Sequence, residues 1–226
     1  QIGSVPLAEQ VIDVHVAGSY AYVTTYEPKL HVIDVSNPSA PREVGSAAAE
    51  RYDVVHVVAG YAYLVGTFAG LRVIDVSNPR APRAVGSLAA SGSALGVYVA
   101  GSYAYVANGD GGLALIDVSR PSAPQTAGSV ETTLAQAQNV HVLGRHAFVA
   151  DETNGLQIVD VSDPTKPLEV ATVDTPGQAR DIFVSGLYAY VADNLGGLRV
   201  IDISNPATPR EVGGASWILA GASDVY

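Results

Sequence analysis

Five aspartates, Asp34, Asp75, Asp117, Asp160 and Asp202, follow one another at spacings of 41, 42, 43 and 42 residues in a chain of 226. Each sits in a near-copy of one heptapeptide. It runs Val32-Ile33-Asp34-Val35-Ser36-Asn37-Pro38 and returns at 73–79, 115–121, 158–164 and 200–206. A period of this length, filling nearly the whole chain, restricts the fold to an array of supersecondary units. One such unit cannot bury its own apolar faces, so its neighbours must.

Inside the unit the periodicity is that of strands. Val14 and Val16 alternate with other residues in Asp13-Val14-His15-Val16, the two-residue period of a strand. A glycine turn such as Gly18-Ser19 follows, then Tyr20-Ala21-Tyr22-Val23, which recurs at 61–64, 103–106, 146–149 and 188–191. A polar or glycine-rich turn leads to the Ile-Asp-Val-Ser element, which Asn-Pro-x-x-Pro ends because proline has no N–H for a ladder. The fourth strand is Arg42-Glu43-Val44-Gly45 and its copies. Four strands in about 42 residues make one propeller blade. The expected fold is therefore all-β: a five-bladed β-propeller of four-stranded antiparallel blades, forming a single domain over residues 1–226.

The pattern Gly-x-Tyr-Ala-Tyr-Val…Gly-Leu-x-Val-Ile-Asp-Val-Ser-x-Pro-x-x-Pro resembles the LVIVD repeat, and more distantly the YVTN repeats of surface-layer propellers. The resemblance covers essentially the whole chain. It implies an exported or cell-surface protein, and a first strand that is innermost and lines a central channel.

The ends carry further pieces of the repeat. Ile2-Gly3-Ser4 matches Val44-Gly45-Ser46, the end of a fourth strand, and Asp224-Val225-Tyr226 matches Asp181-Ile182-Phe183, the start of a first strand. Two arrangements follow: a closed ring in which the N-terminal piece completes or flanks the last blade, or an open segment that joins a neighbour through spare strands. Closure is the expectation, because an open array exposes two apolar faces. Gln1, in place of a starting Met and without a signal peptide, reads as the end of a processed or excised segment.

A repeated chain contains its own control, since a residue present in every unit serves the blade. The Asp series reads as turn chemistry, with carboxylate and Ser hydroxyl bonding turn amides. The Tyr-Ala-Tyr rings read as interblade packing. Leading positions of the first strands are less uniform: Asp13, Val54, Gly96, Asn139, Asp181 and Asp224, with His15, His56, Tyr98, His141, Phe183 and Tyr226 two residues on. Asp13, Asn139, Asp181 and Asp224 with His15 and His141 are the candidate ligand-binding residues of the channel rim. Their oxygens would suit a hard cation such as Ca²⁺. The plainer reading is that they bond loop amides and channel water. No local metal-ligand spacing is present, and no cofactor is expected.

Three features occur once: Tyr26-Glu27-Pro28-Lys29 in place of a glycine-rich turn, the acidic pair Asp151-Glu152, and Trp217, read as a structural anchor. Enzyme signatures fail. There is no Gly-x-Ser-x-Gly, no His-Glu-x-x-His and no Walker loop, so no catalytic residue is assigned. With no cysteine, disulfides, thiolate metal sites and cysteine nucleophiles are excluded. A net charge of −10 repels phosphate backbones, so nucleic acid is not an expected partner. No apolar run approaches the ~18 residues of a membrane-spanning helix. The function these features imply is a non-catalytic exported module that binds or scaffolds a protein or other component at the cell surface. Self-assembly through terminal strands and a channel-site hydrolase or lyase remain alternatives.

Overall fold

The computed structural model describes residues 2–49, 52–89, 92–131, 136–216 and 221–225. These contain strands and no helix; in particular, no helix is long and apolar enough to cross a membrane. Blade 1 is β1 (Val11–Ala17), β2 (Tyr20–Thr25), β3 (Lys29–Asp34) and β4 (Arg42–Ala48). Blade 2 is β5 (Val54–Val58), β6 (Tyr61–Gly66), β7 (Gly70–Asp75) and β8 (Arg83–Leu88). Blade 3 is β9 (Gly96–Ala100), β10 (Tyr103–Ala107), β11 (Leu113–Asp117) and β12 (Gln125–Val130). Blade 4 is β13 (Ala137–Leu143), β14 (His146–Asp151), β15 (Leu156–Asp160) and β16 (Leu168–Val173). Blade 5 is β17 (Asp181–Ser185), β18 (Tyr188–Ala192), β19 (Leu198–Asp202) and β20 (Arg210–Ala215). Each blade is one antiparallel sheet whose strands pair in sequence order, so the chain is a five-bladed all-β propeller.

Local chemistry explains the recurrence. The hairpin between first and second strands needs a left-handed residue, and Gly18 supplies it at φ +60°. At the far end of the third strand, Asp75 Oδ1 accepts bonds from the Ser77 amide at 3.0 Å and its hydroxyl at 2.6 Å. Arg83 donates to Oδ2 at 2.9 Å from Nη2. Asp34, Asp117, Asp160 and Asp202 accept from their own Ser amides in the same way. These bonds, with the neighbouring Arg83, hold the Asp75 carboxyl down at about 2. The repeated Asp is thus a turn lock, as the repetition implied.

An Asp75→Ala variant should lose about 2–4 °C of Tm near neutrality, the scale of one partly solvent-screened hydrogen-bond set. The folded carboxyl titrates below its unfolded value, so the contribution is present above about pH 4 and is lost as pH falls toward 2. Thermal scans of both proteins at pH 7 and pH 2 would check this, and the difference should vanish at the lower pH.

In every fourth strand the register slips by one residue, as between Val32↔Gly45 and Ile33↔Glu43, leaving a β-bulge. Strands two and three of blades 1 to 4 are largely buried on both faces, while those of blade 5 are only partly covered. Four cores result. Tyr22, Leu30 and Val32 of blade 1 meet Val55, Val57 and Leu64 of blade 2, and the same positions interlock between blades 2 and 3, 3 and 4, and 4 and 5.

No fifth core of this kind joins blade 5 to blade 1 among the described residues. Val14 and Val16 are 45% and 60% exposed, while their counterparts Val55 and Val57 are 4% and 6% exposed. β20 is exposed along its length. Among the described residues, blade 5 and blade 1 therefore do not meet face to face as expected. The N-terminal segment does not pair with the last blade. It lies on blade 1, where Val5 and Leu7 pack with Ala21, Val23 and Ile33. Residues 221–225 lie on blade 5 in the place of a following first strand. Ala222 and Asn194 exchange backbone bonds of 2.9 Å, as Ala179 and Glu152 do one blade earlier at 2.9 and 3.2 Å. The two terminal pieces thus occupy opposite sides of a sixth blade position.

Candidate functional site

The first strands and the 222–225 segment stand as six staves around a central cavity of about 720 Å³. Each stave presents side chains of alternate residues, which places the rim positions on one level and the rings two residues on at the next.

At the rim, the polar groups hold neighbouring staves. Asp13 accepts from its own strand's Val14 amide at 2.7 Å and from the Val55 amide of the next stave at 2.9 Å. Asp181 repeats this with the Val225 amide at 2.8 Å, and it also accepts a bond from the Asn139 side-chain amide. Asn139 Oδ1 accepts from Val140 N at 2.7 Å. Asp224 hydrogen-bonds Asp181, joining two carboxyl groups side by side. Burial, above all, and this shared proton push Asp181 up to about 7. Burial also raises Asp13, with the Asp224 charge adding in the same sense.

Below the rim runs a collar of rings. His15 meets His56 at 4.7 Å between centroids, His56 stacks on Tyr98 at 4.8 Å, Tyr98 lies 4.7 Å from His141, and His141 meets Phe183 edge-on at 5.3 Å. His56 Nδ1 accepts from the Val99 amide of the next stave at 2.7 Å, which fixes a neutral ring protonated on Nε2. Burial first, then the nearby His15 and His141, pull its pKa down to about 4. Burial likewise lowers His15 and His141. The collar is therefore uncharged at neutral pH: flat, polarisable faces beneath a carboxylate rim.

The structure places Asp13, Asn139, Asp181 and Asp224 at the rim of the cavity, and His15 and His141 in the collar. It adds His56, Tyr98 and Phe183 as equal members of the collar, visible in sequence only through their register with His15. Among the described residues no three His, Asp or Glu side chains converge as a metal-binding group. The six rim and collar positions are spread over four staves, and Asp13, Asn139 and Asp181 turn oxygens to backbone amides. The unrepeated features resolve as blade parts. Asp151 is wholly buried and accepts from Gln157 at 2.6 Å and Asn154 at 3.0 Å. Glu152 pairs with Arg180 at 3.0 Å, and Lys29 with Glu27 at 2.8 Å. Trp217 and Tyr226 lie outside the described residues.

Comparison with known proteins agrees with the geometry. The LVIVD repeat pattern is matched at 9–49, 53–89, 91–132, 135–175 and 176–215. The chain belongs to the LVIVD-repeat family. Each LVIVD match spans one blade, so the family unit and the structural unit coincide. No curated protein sequence matches the chain. Among solved structures, this LVIVD chain is similar to a functionally unknown protein from Desulfotomaculum acetoxidans, with TM-score 0.82 and 15% identity over 97% of this chain and 74% of that one. It is also similar to the computationally designed Ika8 protein, with TM-score 0.73 and 9% identity over 95% of this chain and 64% of that one. A hypothetical selenium-binding protein from Sulfolobus tokodaii gives TM-score 0.69 and 13% identity over 88% of this chain and 59% of that one. At these identities the likeness shows the fold alone, and the chain spans less than two thirds of the length of two of the three. No catalytic family is indicated.

Proposed function

We propose that this LVIVD propeller is a non-catalytic binding or scaffolding module, exported and displayed at the cell surface, with a protein or other surface component as its partner. One observation carries the non-catalytic part. The groups best suited to chemistry, Asp13, Asp181 and His56, are spent on amides of the adjoining staves at 2.7–2.9 Å. A side chain clamped in this way is held in one orientation as part of the scaffold, which favours a structural over a catalytic role. The acidic balance and the export implied by the LVIVD repeat support display outside the cell, and the lack of cysteine is compatible with it.

The test is surface accessibility in cells that make the full-length protein. Protease added to intact cells should degrade it before any cytoplasmic marker. Protection until lysis would sink the export part.

The hydrolase reading has one observation in its favour: Asp181, held near 7 beside Asp224, is an acid poised at neutral pH. Turnover of chromogenic esters, phosphate esters or glycosides that is lost in Asp181→Asn would establish that reading instead. The proposed one expects no turnover in either protein.

A further inference from the structure

We infer that the end of the propeller bearing the channel rim is a docking face for a basic, partly apolar polypeptide segment of another protein. The inference rests on the binding-module reading and deepens it, by naming the surface and the chemistry of its partner.

The two ends of the molecule differ in charge balance. Strands run antiparallel within each blade. The starts of first strands, the turns between second and third strands and the ends of fourth strands therefore share the rim end, as the pairs Asp13↔Thr24 and Lys29↔Ala48 show. At the opposite end each turn-lock aspartate has a cation beside it. Asp34 pairs with Arg42 at 3.2 Å, Asp75 with Arg83 at 2.9 Å, Asp160 with Arg145 at 3.5 Å and Asp202 with Arg210 at 3.5 Å. Arg120 lies near Asp117, and Lys166 near Asp163. At the rim end this balance fails. Lys29 is spent on Glu27 at 2.8 Å, and Arg180 on Glu152 at 3.0 Å. Glu9, Asp110, Glu131 and Asp174 stand at the same end with no ion pair among the described residues. Asp13 and Asp181 line the mouth of the central cavity between them. The net charge of −10 is thus gathered at one end of the molecule.

That end also carries large apolar side chains where a turn has no use for them. Tyr26, Phe68 and Leu195 sit in the turns between second and third strands of blades 1, 2 and 5, at 53%, 95% and 72% exposure. The same turns of blades 3 and 4 carry Asp110 and Thr153, so a blade folds without an apolar residue there. Standing free in water, these side chains add nothing to the core; covered by a partner, they lose apolar surface to it.

The sign of the charge selects the occupant. A negative face repels nucleic acid and anionic lipid, and a second copy of this chain docked by the same end would set like charges against each other. A basic segment is attracted by the unpaired carboxylates, and apolar residues between its cations can cover the turn tips. The result is apolar contact within a charged border, the usual layout of a protein interface.

The test uses the 226-residue chain and a fluorescein-labelled probe, the peptide Lys-Leu-Arg-Ala repeated three times, with glutamate in place of every cation in a second probe. Fluorescence anisotropy should show one-to-one saturable binding of the basic probe, at least ten-fold weaker at about 300 mM NaCl than at about 50 mM, and no binding of the acidic one. Asp110→Lys and Glu169→Lys change the net charge equally, but Asp110 lies at the rim end and Glu169 toward the opposite end of β16. Asp110→Lys should weaken binding at least five-fold, and Glu169→Lys less than two-fold. Phe68→Ser should melt like the parent, since the ring is exposed, yet bind the probe at least three-fold more weakly. Absence of saturable binding, equal losses from the two lysine variants, or unchanged binding by Phe68→Ser would overturn the inference. So would sedimentation showing a dimer of the parent chain that Phe68→Ser dissociates, because the face would then belong to a second copy. None of these readouts depends on where the protein resides, so surface display and the docking face fail separately.

Discussion

Replacing Gly86 with valine is expected to destabilise the chain by about 2–3 kcal/mol, while the same replacement at Gly213 stays within about 0.5 kcal/mol of the parent. Both glycines follow the bulge of a fourth strand, in β8 and β20. A Cβ on Gly86 would meet the Pro121 carbonyl, Pro124 Cδ at 3.1 Å and the Ser122 backbone, none of which is the free end of a flexible side chain. Backbone must move, and the interblade core of blades 2 and 3 moves with it. Blade 4 carries Ala171 at this position, so one carbon is accommodated there and valine is the more decisive probe. At Gly213 no described atom lies within 4 Å of a built Cβ, so a side chain there meets open space. Parallel urea titrations of the two variants would measure both costs. Equal losses would mean that blade 5 is covered in solution and that the open side is not as described.

A second large effect concerns pH. His56 is held near 4 against about 6.5 in the unfolded chain, so the folded state prefers the neutral ring. Its contribution is full above pH 6.5 and is lost as pH falls toward 4. Asp181 runs the other way. Raised to about 7 from an unfolded value near 4, it contributes fully in acid and loses that contribution as pH rises from about 4 to 7. Within pH 4–6.5 the two oppose one another, and the parent Tm should vary little. Single substitutions separate them. His56→Asn offers Oδ1 to the Val99 amide in place of Nδ1 and does not titrate, so its Tm relative to the parent should rise as pH drops from 7.5 to 5. Asp181→Asn resembles the protonated acid, so its relative Tm should rise as pH climbs from 5 to 8. Each change amounts to roughly 1–3 kcal/mol, since a shifted pKa unit corresponds to about 1.4 kcal/mol and neighbouring carboxyls share the titration. Differential scanning calorimetry from pH 4.5 to 8 would read both, and parallel profiles for all three proteins would refute the assignment.

Much of this was legible in the sequence because the repeat fixes register. Once Val14 and Val16 are known to face one side of a strand, Val55, Val57 and their later copies follow, and so do the blade cores. The Asp-x-Ser turn lock is legible for the same reason, since its partners lie two residues away. The candidate site was only half legible. Rim positions follow from strand phase, but the partners of Asp13 and Asp181 lie 42 and 44 residues away on another stave. No local spacing encodes them. His56 has the same character, with its bond crossing 43 residues. Closure was misjudged because the terminal fragments look redundant when counted along the chain. In space they lie on different blades, Gly3 against blade 1 and Ala222 against blade 5.

The bulge in every fourth strand has a bearing on crowding. That strand is the outermost of its blade, and a straight outer edge offers unpaired amides and carbonyls to any neighbour. The extra residue at Val44, Val85, Ala127, Val170 and Val212 twists each edge out of plane, so adjacent molecules find no ladder to extend. The outer edges are thereby poor templates for edge-to-edge pairing when molecules are concentrated.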